Sequence, residues 1–187
     1  MGSYVKTDND FMADKVGLRA GHLPAKGEIR VLDCFAGTGR VWKAVKRRMP
    51  RREIRILGME KRRLGFNLPG DNLAWLAEMD LSRFNVIDLD SYGIPYDQMK
   101  ILFDRGFPGV VYVTFIQTGF GQLSYGMLED IGFSREMIKK TPTIFQGRGW
   151  QYLLEWLALR GVRKVFYRHG QSRKGGRSNK YYLAFTM

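Results

Sequence analysis

Cysteine is almost absent: Cys34 is the only one among 187 residues, so no disulfide can close within the chain and no cysteine pair is available to hold a metal. Histidine is as scarce, with only His22 and His169, which stand alone in sequence, and no metal site is expected. No apolar stretch approaches the roughly 18 residues that cross a bilayer. The polar N-terminus also lacks the charged-then-apolar pattern of a leader, so the expectation is a chain of the reducing cytoplasm. Acidic residues are in short supply: 18 Asp and Glu face 31 Lys and Arg, leaving a formal charge of +13. A small neutral substrate does not account for that imbalance, whereas a nucleic acid does. Any single basic run could still serve only as a solvated face.

What is present is enough apolar material, 44% of residues, for one substantial core. Residues 1–27 carry little periodicity and read as an N-terminal arm with room for one short helix, and residues 28–187 read as a single domain. Strands are expected at 28–35, 53–60, 66–68, 84–90 and 110–116, the last being the most β-branched. Helical spacing lies between them. Thr38 is placed to cap a helix running to Met49, Asp71 or Asn72 to cap one containing Leu73, Leu76 and Met79, and Pro95 to open one that stops at Gly106. This alternation predicts a mostly parallel sheet covered on both faces by helices, an α/β Rossmann-like architecture. After irregular residues 120–146, an amphipathic helix is expected from Trp150 to Arg160. Two strands, 162–169 and 181–187, then follow with no helix between them, which predicts an antiparallel hairpin with a loop at 170–180.

The first strand runs into Asp33-Cys34-Phe35-Ala36-Gly37-Thr38-Gly39, a turn whose glycines let a ligand approach backbone and free N–H groups. The spacing of dinucleotide oxidoreductases needs a third glycine where this chain has Trp42, and no Gly-Lys-Ser/Thr follows for a nucleoside triphosphate. The run resembles the first motif of class I S-adenosylmethionine-dependent methyltransferases. The resemblance implies S-adenosylmethionine as cofactor, held along Asp33, Phe35, Ala36, Gly37 and Gly39. It also implies that Glu60, ending the second strand, contacts the ribose and that Asp71 and Asn72 lie near the adenine, although Asp71 also suits a helix cap alone.

Strand alternation puts Asp88 and Asp90 on one side of the fourth strand, at the end where open α/β sheets bind ligands. Two adjacent carboxylates there are costly unless they act or are partnered. Asp88-Leu89-Asp90-Ser91-Tyr92-Gly93-Ile94-Pro95 is similar to the motif of the tRNA guanine-N2 dimethyltransferase group, with Ser91 where that group has a stiffening proline. The resemblance implies that Asp90 and a nearby backbone carbonyl accept the two N–H bonds of an exocyclic amine and that Tyr92 stacks on the base, Asp90 and Tyr92 as catalytic residues, with Asp88 among the cofactor-binding set. The bland alternative is that the two aspartates only cap backbone N–H groups.

Phosphate contacts are expected from Arg62 and Arg63 after the second strand and from Arg168, Arg173, Lys174, Arg177 and Lys180 in the hairpin loop. These features together predict methylation of a nucleobase amino group, in RNA ahead of DNA. A DNA adenine N6-methyltransferase and a catalytically silent nucleic-acid-binding protein of the same fold remain open as rivals.

Overall fold

The computed structural model describes residues 11–61, 67–118, 123–141, 147–172 and 178–187. In chain order these form α1 (Met12–Gly21), β1 (Ile29–Asp33), α2 (Arg40–Arg48), β2 (Ile54–Glu60), β3 (Leu68–Pro69), α3 (Asn72–Glu78), a 3₁₀ turn (Leu81–Arg83), β4 (Val86–Leu89) and α4 (Tyr96–Asp104). They continue with β5 (Val110–Thr118), α5 (Tyr125–Asp130), α6 (Arg135–Lys140), α7 (Gly149–Leu159), β6 (Val165–Ser172) and β7 (Ser178–Thr186).

The seven strands make one sheet in the order β3-β2-β1-β4-β5-β7-β6. Pairing is parallel from β3 through β5, and β7 runs antiparallel to both β5 and β6. The expected α/β sheet with a terminal hairpin is therefore present. Apart from exposed Arg30, β1 and β4 are buried on both faces, as central parallel strands are when helices cover both sides. One face packs on α1 and α2 through Val16, Leu18, Trp42 and Val45. The other packs on the remaining helices through Leu76, Met99, Leu102, Met127, Ile138 and Trp156. On that second face Asp130 of α5 accepts from Tyr96 of α4 (3.0 Å) and from Trp156 (2.8 Å) and Arg160 (2.8 Å) at the end of α7.

Three local expectations change. Thr38 does not cap α2; Gly39 does, at φ 69°, because the turn needs a left-handed residue there and Thr38 is left exposed before it. Among the described residues the third strand pairs at Leu68–Pro69, one residue further on than expected, and Phe66 lies outside them. The hairpin strands extend into the segment read as loop, with Gly170 facing Lys180 and Gln171 facing Asn179 in register. Its glycines hid the strand: Gly170 is there because the Phe11 ring lies where its Cβ would be, 2.7 Å away.

Candidate functional site

β1 and β4 are neighbours, with Asp33 and Asp88 paired in register, so their carboxyl ends bring Asp33, Asp88 and Asp90 together. α1 lies over these ends. Its Arg19 is a buried fork on Asp88, with Nε to Oδ2 and Nη2 to Oδ1 both at 2.7 Å. Trp42 Nε1 reaches the same Oδ2 at 2.7 Å. Tyr112 on β5 donates its hydroxyl to the Arg19 carbonyl at 3.0 Å, fixing the helix to the sheet a second time. One turn earlier on α1, Lys15 Nζ donates to both oxygens of Asp90, at 2.8 and 2.9 Å, and Thr114 Oγ1 donates to Oδ1 at 2.5 Å.

Charges in this cluster divide unevenly. Burial pushes the Asp90 carboxyl up, but Arg19, Lys15 and Thr114 outweigh it and hold it below the ordinary value. At Asp33 the balance is reversed: burial, then repulsion from Asp88 and Asp90, outweighs Arg19 and the Phe35 N–H it accepts at 3.3 Å, and pushes it well above the usual carboxylate range. Burial likewise raises Asp88 despite Arg19 and Trp42.

The loop after β4 is fastened to β5. Ser91 Oγ donates to the Thr114 carbonyl at 3.5 Å, and Ile116 N–H donates to the Gly93 carbonyl at 3.1 Å. Hydrogen bonds to β5 thus restrain the loop that lacks the proline. Tyr92 projects from it 77% exposed, with Gly93 at φ 120° reversing the chain behind it.

A cleft opens between this loop and the glycine turn. Of the expected residues, Asp33, Phe35, Ala36, Gly37, Glu60, Asp88, Asp90 and Tyr92 all line it. Glu60 also ties the turn down, accepting Gly37 N–H at 2.9 Å and Lys61 N–H at 3.0 Å. Asp71 and Asn72 are not in the lining. Asp71 is the exposed N-cap of α3, accepting from Leu73 N–H at 3.0 Å, and Asn72 braces the glycine turn by donating to the Cys34 carbonyl at 2.9 Å. Gly39 shapes the turn without lining the cleft.

The basic residues separate in the same way. Arg168 is exposed on β6, whereas Lys180 is buried in β7 and lines the cleft, so a flexible-loop phosphate contact does not describe it. Arg62, Arg63, Arg173, Lys174 and Arg177 lie outside the described residues. Lys15, Arg19 and Thr114 were missed by the sequence reading. A signal existed: Phe11, Lys15, Leu18 and His22 follow helical spacing, so Lys15 interrupts an otherwise inward stripe, with Arg19 beside it.

No family model and no curated protein matches the chain. Solved structures do. A precorrin-6y C5,15-methyltransferase from Geobacter metallireducens superposes at a TM-score of 0.51 with 14% identity, over 99% of this chain and 93% of that one. A plantazolicin methyltransferase solved with SAH gives a TM-score of 0.49 at 10% identity, over 95% and 84% of the two chains. A cyclopropane synthase from Mycobacterium tuberculosis gives 0.47 at 14%, over 92% and 83%. At such identities the likeness is one of fold, and the chain has the Rossmann-like methyltransferase fold.

Proposed function

We propose that the chain is an S-adenosylmethionine-dependent methyltransferase that modifies an exocyclic amino group of a nucleobase, in RNA ahead of DNA. The observation that carries this reading is the cleft itself, where the glycine turn after β1 faces Asp90 and Tyr92 after β4. Gly37, at φ 49°, fits the cofactor: a Cβ there meets nothing within 4 Å, so the turn leaves open space beside the cleft. Phe35, Ala36, Gly37 and Glu60 would hold the cofactor, which when bound supplies an electrophilic methyl group on a sulfonium. Asp90 would accept N–H bonds from the acceptor amine, localising its lone pair, and Tyr92 would stack on the base. A net charge of +13 supports a polyanionic partner.

Calorimetry with S-adenosylmethionine tests the first step, since absence of binding heat removes the enzyme reading. Transfer of labelled methyl to mixed RNA and DNA pools then separates RNA from DNA acceptors. In Asp90→Ala, transfer is expected to fall by about 100-fold or more, as when one fixed polar group at a reacting centre is removed, with cofactor heat retained. A silent nucleic-acid-binding protein is the second reading. Its specific support is that Asp90 is already engaged by Lys15 and Thr114.

A further inference from the structure

We propose that Lys15 occupies, at Asp90, the place of the acceptor amine and sets acceptor selectivity, yielding that place when a substrate phosphate draws its ammonium away. This rests on the reading of Asp90 as the amine clamp.

A carboxylate offers about four acceptor positions. On Asp90, Lys15 takes two and Thr114 takes one, and Arg19 Nη2 stands off at 3.9 Å. Both positions on Oδ1 are filled, by Lys15 and Thr114, and Oδ2 carries Lys15 with Arg19 Nη2 beside it, so an amine N–H takes a place at Asp90 only as Lys15 leaves. Lys15 is also the cation that can leave. The Arg19 side chain is 1% exposed and held by Asp88, whereas the Lys15 side chain is 11% exposed and lines the cleft. α1 needs no movement, because Arg19 on Asp88, the Tyr112 hydroxyl on the Arg19 carbonyl, and buried Val16 and Leu18 anchor it independently. A lysine stem is long and flexible, and its head is a compact charge suited to phosphate.

Displacement by a neutral amine alone removes a cation from Asp90 and puts no charge in its place, which is unfavourable in a buried site. A nucleotide within a strand supplies the amine and a phosphate together, so Lys15 exchanges one anion for another. A free nucleoside supplies only the amine. Lys15 is thus a specificity-determining residue that favours strands over nucleosides.

The test compares Lys15→Met with wild type on a mixed-sequence oligonucleotide pool and on free adenosine, guanosine and cytidine. Wild type is expected to prefer the pool. Lys15→Met is expected to lower the pool-to-nucleoside ratio of kcat/KM by about tenfold or more, the scale of one charge contact, chiefly through faster nucleoside turnover. An unchanged ratio, or equal loss on both acceptors, overturns the inference while leaving the proposed function intact. Binding heat with S-adenosylmethionine but no transfer by either protein to either acceptor overturns both. A second variant guards against misfolding of the first: Asp90→Asn releases Lys15 without removing it. It should bind the pool several-fold more tightly by fluorescence anisotropy, and unchanged or weaker binding overturns the inference.

Discussion

The indole of Trp42 donates to Asp88 Oδ2 at 2.7 Å, from the position where a dinucleotide-binding turn would carry its third glycine. The side chain is 1% exposed, fills the space between α2 and the sheet, and meets the Tyr112 ring edge-on at 6.0 Å. A bulky residue at that position therefore spaces the helix from the strands and supplies a polar bond that glycine could not. Trp42→Phe keeps the ring but removes the donor and part of the volume. A loss of about 2–3 kcal/mol is expected, the scale of a hydrogen bond to a charged group, read from urea denaturation. A midpoint equal to wild type would show that Arg19 alone suffices for Asp88.

Asp33 gives a pH signature of definite sign. Its carboxyl is held well above the ordinary value, first by burial and then by Asp88 and Asp90. In the unfolded chain it ionises near pH 3.9. As pH rises past that value the unfolded state sheds the proton and the folded state resists, so stability is lost upward until the raised folded pKa is passed. Asp33→Asn removes that linkage while its Oδ1 can still accept the Phe35 N–H. The variant is expected to be more stable than wild type at pH 7 by about 1–3 kcal/mol, the cost of a poorly compensated buried group. Below about pH 4 the gain should vanish. Paired denaturant melts at pH 3.5 and 7 read both limbs, and a gain independent of pH would contradict the assignment.

The glycine turn approaches the sheet closely at Gly58 on β2. A Cβ there would lie 2.3 Å from Asn67 Oδ1 and 2.8 Å from the Ala36 Cβ. Asn67 in turn donates to the Gly37 carbonyl at 3.0 Å, so displacement of either neighbour shifts the turn. Gly58→Ala is expected to lower stability by about 1–3 kcal/mol through overpacking and to weaken S-adenosylmethionine binding by about tenfold. Calorimetry on the folded variant measures the second effect. Unaltered affinity would show that the turn tolerates the shift.

Strands were the most legible part of the sequence because each parallel strand is a short apolar run bounded by turn residues, as in Val31-Leu32 before Gly37 or Val110 to Val113 after Gly106. The site was legible where its residues sit on those strand ends: Asp33, Glu60, Asp88 and Asp90 come to one cleft. It was illegible where partners come from afar. Lys15 lies 75 residues from Asp90 and Arg19 lies 69 from Asp88, and no local pattern encodes such pairings. Asn72 is an amide at the expected place, and the bonds it makes there, to the Cys34 carbonyl and from Gln98, also come from afar in the chain. Lys180 was misplaced because the glycines near it read as loop, whereas β6 continues past Gly170 and pairs with β7 as far as Ser172 and Ser178.

Tyr92 allows the proposed base contact to be tested apart from folding. It is 77% exposed, so its ring contributes little to the core, and its neighbours Ser91 and Gly93 hold the loop through polar contacts that its removal leaves intact. Tyr92→Ala should therefore change stability by no more than about 0.5 kcal/mol. If the ring stacks on an extruded base, its loss removes about 1–3 kcal/mol of stacking, or roughly 5- to 150-fold in affinity for a single-stranded oligonucleotide. Tyr92→Phe preserves the π face and should bind as wild type does. Fluorescence anisotropy on the three proteins at one fixed ionic strength measures the effect. Equal affinity across all three would sink the stacking role, and a loss shared by the Ala and Phe variants would assign the contact to the hydroxyl instead.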